Sequence, residues 1–482
     1  QALFTNTTGA SNTAVGKNAL VNATTADSNV AVGADAMSAN TTGKRNVAIG
    51  EGALSSNTEA DSNVAVGRNA LNANTTGHDN IGIGRAALTA NTTAADNTAV
   101  GAFSLDANTT GHSNTAFGKS SLTANTTADA NTAVGFYALA ANTTGENNLA
   151  LGYQALDAAT TADNNTAVGY QAASAVTTGD LNVAVGKGAM GTNTVGDRNV
   201  AVGVNALHTF NPSTNEDSYN VAVGLNALFA ATTGNQNTAI GGLAGAAVTT
   251  GASNSLLGYT AGNDITTGDF NTFIGRQSGE KTTTADGNTA VGYIALQNNT
   301  TGALNVAIGQ EALQKNTTAN YNVAIGYQAL EENTTGEANV AVGYATLDGP
   351  TTYNNNTAVG YDAAGVAAVS GLTAVGRGAL AANTTGWNTA VGYLAGNAAT
   401  TGGSSVYVGA EAGLVVTTGA SNTMIGHRAG KAASTSSNNT FIGKECGQNS
   451  VSTTTGADNT FVGSAVRGSG STVSNEIAIG FN

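Results

Sequence analysis

Residues 322–343 read NVAIGYQALEENTTGEANVAVG. The phrase Asn322–Gly326, NVAIG, returns seventeen residues later as Asn339–Gly343, NVAVG. Followed in both directions, the closing glycine falls every seventeen residues from Gly16 to Gly203 and again from Gly224 to Gly360. It then continues through 376, 392, 409, 426, 443, 463 and 480, making 28 copies. Residues are added within Gly203–Gly224 and Gly443–Gly463, and single residues are missing within Gly360–Gly376 and Gly376–Gly392. The consensus is N-[TV]-A-[VI]-G-x-x-A-L-x-x-N-T-T-[GA]-x-x, whose positions are called slots 1 to 17 from the leading Asn.

A unit this short is too small for a helical hairpin, and Thr, Val, Ile, Asn and Gly favour strands and turns. Slots 1–5 read as a short strand closed by glycine, and NTTG reads as a corner. One coil would bury a Val and a Leu, gaining ~1.5–3 kcal/mol for each. Ordering its backbone costs ~1–2 kcal/mol per residue. A lone coil therefore cannot fold, whereas stacked coils pair their backbones and extend a shared core. The expected fold is all-β: a β-solenoid of about 28 coils with a 17-residue period, one continuous array over 1–482. At ~4.8 Å per strand it would be on the order of 130 Å long.

Stacking turns slots into columns. Slot 1 is Asn except at Leu372, Ser405 and Glu476, so amide hydrogen bonds should pass from coil to coil. Slot 5 is always Gly, which implies a positive φ or a backbone too close to a neighbour for a Cβ. Slots 2–4 hold no charge in 84 positions, where the chain-wide 10% would place about eight. Neighbouring strand side chains point to opposite faces, so both faces are expected to be dry, the second one covered by further copies of the chain. Slot 3 is large at Leu256, Phe273, Tyr407, Met424, Phe441 and Phe461. Slot 9 of the preceding coil is then Gly every time, a volume-conserving exchange that predicts contact between successive coils. Gly279, followed by Ala290, breaks that rule. Slot 15 alternates Gly and Ala from Gly9 to Gly179, which marks a 34-residue pair as the duplicated unit.

The net charge of −14 and pI near 4.5 disfavour nucleic acid and anionic membrane surfaces. The 64 glycines show no collagen triplet, and a single cysteine, Cys446, rules out an internal disulfide framework. No apolar run approaches a membrane span. Both termini fall mid-phrase, at QALFTNTTG and IAIGFN, so the array is expected to continue beyond them, with segments able to stack end to end into a filament.

The reiterated NTAVG and NVAIG phrases resemble the NSVAIG-type repeats in the head domains of YadA-like trimeric autotransporter adhesins, and similar arrays in bacteriophage tail fibres. The resemblance implies a left-handed parallel β-roll, three chains coaxial in a homotrimer, and an extracellular place on a cell surface or virion. The coil departs from that family's fourteen residues, NTTG enlarging one turn. Neither the adhesins' membrane anchor nor the self-cleaving chaperone of many phage fibres is visible.

No catalytic constellation stands out, so no enzyme, cofactor or metal is expected. His78, His112, His208 and His427 are scattered and read as solvated turn residues, as do Asp27 and Asp61. Cys446 takes an Ala slot and reads as a buried filler. Tyr follows the motif glycine at several coils; Tyr153, Tyr170, Tyr293, Tyr327, Tyr344 and Tyr361 are candidates for stacking on cell-surface glycans. Packing beside the glycine column or at a chain interface is the preferred reading of that row. Glycosylation sequons recur at Asn40, Asn74, Asn91, Asn108, Asn125, Asn142, Asn299, Asn316, Asn333 and Asn383, where turn chemistry is a sufficient reason for the motif. Insertions near 208–219 and 447–458 are expected to form loops, the first of them protruding. The expected function is the structural shaft or head of a trimeric fibre that spaces or presents a surface-binding tip. One alternative is ice binding on Thr ladders, although the paired Thr of NTT should point to opposite faces. Another is a polysaccharide-binding or -degrading tailspike, which needs a carboxylate cluster on one face.

Overall fold

The computed structural model describes residues 1–214, 217–350, 352–366, 368–447, 455–469 and 474–481. They fall into two compact units, Gln1–Gly242 and Leu243–Asn482. Each unit is a parallel β-solenoid without a helix among its described residues. The first carries strands β1 (Thr13–Val15) to β14 (Thr238–Ile240), the second β15 (Ser255–Leu257) to β28 (Ile477–Ile479). Every strand is three residues long and occupies slots 2–4.

Within a unit, successive strands pair in parallel and in register. Val30, Ala31 and Val32 of β2 lie against Val47, Ala48 and Ile49 of β3. The register survives the irregular coils: Val200 pairs with Val221 across the insertion, and Thr357 with Thr373 across a deletion. Turns absorb the change in length, so the strand column stays aligned. Backbone pairing also continues around the coil. Met37 N donates to Ala53 O at 2.9 Å, Thr41 N to Thr58 O at 2.8 Å, and Arg45 N to Asp27 O at 3.1 Å. A three-residue strand is thus one part of a rung whose turns also bond to their neighbours, as buried peptide groups require.

Slots 7, 9 and 17 adopt left-handed backbone in coil after coil, for example Asp35 at φ 58°, Met37 at 49° and Arg45 at 59°. Slot 5 goes further. Gly50 has φ +135°, and a Cβ there would lie 2.5 Å from Gly67 O of the next rung. Both reasons anticipated for the invariant glycine therefore hold together.

Slots 1, 3, 8, 9, 12 and 15 face inward, as Asn29, Ala31, Ala36, Met37, Asn40 and Ala26 show at 0% exposure. The expected core Val is a correction: Ala of slot 3 points inward, while Val or Ile of slots 2 and 4 points outward. The reason is room. The interior also holds two files of Asn side chains and the slot-9 Leu, leaving space for a methyl group in most coils.

The slot-1 Asn side chains form the anticipated ladder. Asn46 Oδ1 accepts from Asn63 N at 2.8 Å, and Asn46 Nδ2 donates to Ala60 O at 2.8 Å. A second ladder runs through slot 12, where Asn57 Nδ2 donates to Asn40 Oδ1 at 2.9 Å. Polar atoms inside the coil are thus bonded lengthwise, which makes their burial tolerable.

The exchange between slots 3 and 9 is also seen as contact. A Cβ on Gly262 would lie 3.1 Å from the Phe273 ring of the next coil and 2.8 Å from Leu256 of its own. Gly279 sits against the Phe273 ring within its own coil. The large side chain therefore lies between two slot-9 glycines, which accounts for Gly279, the exception to the sequence rule. Those glycines keep φ near +57°, so losing the side chain also relieves left-handed strain.

The first insertion does not protrude along its whole length. Phe210 occupies slot 12, is fully buried, and packs beneath Gly196 with Pro212. Asn211 N donates to Thr232 O at 2.9 Å, and an Arg198–Asp217 ion pair holds the returning chain. Residues 215–216, and most of the expected second loop (448–454), lie outside the described residues.

Candidate functional site

The outward side of each strand column carries no charge at any rung. Slot 4 is open at Val15 (58%), Phe117 (55%) and Leu257 (46%), and slot 2 is half-buried or exposed throughout. Alternation alone turns one side chain of each strand inward and two outward. Slot 4 is apolar at every rung and slot 2 is Thr or Ser in 15 of 28, so an uncharged file with an apolar slot-4 edge runs down each unit. The second face expected to be dry is thus uncharged but uncovered within a single chain.

Beside it runs slot 6, which follows the bend at the slot-5 glycine. Phe136, Tyr153 and Tyr170 stack at centroid distances of 5.6 and 5.3 Å. Lys119 and Lys187 cap the two ends of this stack over Phe136 and Tyr170. In the second unit Tyr327, Tyr344 and Tyr361 stack at 5.3 and 5.0 Å, and Arg377 lies over both Tyr361 and Tyr393. Arg276 lies over Tyr293. The register that aligns strands sets these rings one rung apart. Within the stacks their faces are given to each other or to cations, so a sugar there would meet mainly ring edges, while Tyr293 and Tyr327 each have one such partner. The six tyrosines named as glycan contacts are exposed, but they serve as packing partners for one another or for a neighbouring cation.

All ten sequon asparagines are fully buried. In nine of them Nδ2, the atom a glycan would take, donates a hydrogen bond inside the coil. The tenth, Asn383, is buried with both amide atoms unpaired. Slot 12 is an interior column, so the folded coil offers a glycan no room at these positions.

The remaining candidates stay dispersed. His78 pairs with Asp79 at 2.9 Å, His112 Nδ1 accepts from Ala95 N at 3.0 Å, and His208 stacks on Phe229; His427 is exposed in slot 6. Asp27 and Asp61 accept the slot-16 amides of Ala10 and Lys44 in the preceding rung, which ties one coil to the next. The Cys446 thiol is buried, and burial pushes it up to about 11. Among the described residues no three His, Cys, Asp or Glu side chains gather as metal ligands, and no helix is long and apolar enough to cross a membrane. The Thr pair of NTT lies on two bends, where strand alternation does not apply. The slot-13 hydroxyl donates to the next rung, as Thr41 Oγ1 does to Thr58 O at 3.0 Å, while slot 14 is exposed in most coils.

One column went unnoticed in the sequence. Slot 17 is mostly Ser, Asn, Asp or another small or polar residue, yet it holds Phe270, Leu304 and Tyr321 close together in the second unit. Leu181, Tyr219 and Trp387 occupy the same column singly, without a large apolar residue in the rungs on either side. Comparing columns rather than coils would have exposed the cluster. Compared with known proteins, the chain matches no family model and no curated sequence.

Proposed function

We propose that this chain is a structural shaft, in which sister copies pack against the outward file of slots 2 and 4 to form a homotrimeric extracellular fibre segment. The observation that carries the reading is that file: free of charge, apolar throughout slot 4, and present at every strand. A partner must offer an equally uncharged surface repeating at the rung spacing of ~4.8 Å. The same file on another copy meets that demand without adjustment. Fourteen rungs, with a strip ~10 Å wide, would bury on the order of 700 Å² per unit on each partner, enough for a specific interface. The resemblance of the repeat phrase to trimeric adhesins and tail fibres agrees with three chains, and an extracellular position suits a chain built for spacing. Ice binding is less well supported, because the slot-13 hydroxyls are engaged by the backbone and the outward Thr of slot 2 is interrupted by aliphatic residues at 13 of 28 rungs. Multi-angle light scattering in native buffer tests the proposal: three times the 47.2 kDa chain mass is expected, and a single-chain mass overturns it.

A further inference from the structure

Phe270, Leu304 and Tyr321 are 67%, 54% and 60% exposed. They stand in the same column, with Gly287 between the first two and the Leu304 Cδ2 lying 2.8 Å from where a Gly287 Cβ would be. Leu304 thus leans over the glycine, and large apolar side chains occupy three of these four successive rungs. Two costs arise here without benefit to the coil. Each residue sits at positive φ, 58°, 59° and 62°, where bulky side chains are rare and Ser, Asn, Asp or Gly is the usual choice in this column. Each also exposes a large apolar group. Strain combined with exposure points to a binding role.

The surroundings indicate the ligand. Neither ring stacks on another aromatic ring or on a cation among the described residues, in contrast to the slot-6 rows, so their faces are open. Flanking slot 16 supplies Asp269, Asp286, Asn320 and Glu337. Asp269 and Asp286 each commit Oδ1 to a backbone amide, of Ala252 and Asp269 respectively. Asn320 Oδ1 accepts from Ala303 N and Asn320 Nδ2 donates to Glu337 Oε1, so the second carboxylate oxygens are the acceptors this slot presents. Thr267, Thr284, Thr301 and Thr318 stand exposed in slot 14 of the same rungs. No Lys or Arg occurs in slots 14–17 of these coils. Open aromatic faces pack on the C–H faces of pyranose rings, while carboxylate, amide and hydroxyl groups take sugar hydroxyls. The absence of cations beside two aspartates and a glutamate disfavours an acidic polymer. We propose that this corner binds a neutral polysaccharide lying lengthwise along the rungs, Phe270 and Tyr321 stacking on sugars separated by ~14 Å, three rungs apart.

A sister copy is the rival occupant. A self-interface repeats at every rung, as slots 2 and 4 do, whereas slot 17 is apolar over a few rungs and polar over most others. The site therefore stands apart from trimer formation. Native affinity electrophoresis of the whole chain in gels containing dextran, galactomannan, hydroxyethylcellulose or alginate decides the matter. Retardation is expected in at least one neutral gel and not selectively in alginate. Phe270→Ser with Tyr321→Asn, residues this column uses elsewhere, should weaken it at least about tenfold, while Tyr344→Ser in slot 6 leaves it unchanged. The double variant should melt no lower than the parent and keep its mass. No retardation in the three neutral gels, retardation by alginate alone, undiminished retardation of the double variant, or loss of its oligomeric mass would each overturn the proposal.

Discussion

At the scale of single residues, stacking multiplies the consequence of one side chain. Asn46 serves two neighbouring groups at once, accepting from Asn63 N and donating to Ala60 O. Asn46→Ala should orphan both, at roughly 1–3 kcal/mol each. Hydrogen exchange at the amides of residues 60–65 should accelerate first, while distant rungs stay protected, because repeat arrays lose stability locally. Gly50→Ala meets two obstacles, a backbone region open to glycine alone and the carbonyl of Gly67. A local loss on the order of 3 kcal/mol is expected from chemical denaturation.

At the scale of an element, the Phe273 coil shows how two columns share one volume. Phe273→Ala should cost roughly 3–5 kcal/mol, since the ring fills space between Gly262 and Gly279. Adding Gly279→Leu restores the ordinary Ala and Leu pairing within that coil and should recover most of the loss. Gly262→Leu is different, because Leu256 and Ile265 obstruct it as well as Phe273. Phe273→Ala should rescue it only in part, and denaturant midpoints of the four variants distinguish the cases. A second element-scale effect involves Asp348, half-buried with Oδ1 unpaired. Burial, then Glu331 and Glu332, push its carboxyl from 3.8 to about 6, with Lys315 opposing. The folded form holds the proton more tightly than the unfolded one. Its contribution to stability is therefore complete below about pH 4 and is lost as pH rises through about 6. Partial exposure screens the effect to on the order of 1 kcal/mol. Asp348→Asn should flatten that part of the stability curve between pH 4 and 7.

At the scale of the whole molecule, the outward uncharged file is the surface on which the proposed assembly depends. Ile308 (38%) and Ile325 (37%) point out of adjacent rungs, so changing them to Asp should leave the coil folded. In the proposed assembly the same two charges would lie in a buried interface, where an unpaired carboxylate costs several kcal/mol. Light scattering of Ile308→Asp/Ile325→Asp should give the single-chain mass, with circular dichroism unchanged. Retention of the oligomeric mass would place the interface elsewhere.

The seventeen-residue phrase by itself determined the parallel rungs, the Asn ladder, the glycine column and the contact between slots 3 and 9. These follow from period and residue type, because stacking brings equal slots together whatever the coil's cross-section. What period leaves open is which way each slot faces, and that depends on how the turns close. Tertiary structure decided that Ala rather than Val fills the strand's inner position, since Leu and two Asn files occupy the interior. It also decided that sequon asparagines such as Asn40 are interior bonding groups, and that Tyr153 and Tyr170 turn their faces to each other. The exposed Phe270 and Tyr321 emerged the same way, because a turn residue's direction is set by the closed coil and not by its neighbours in sequence.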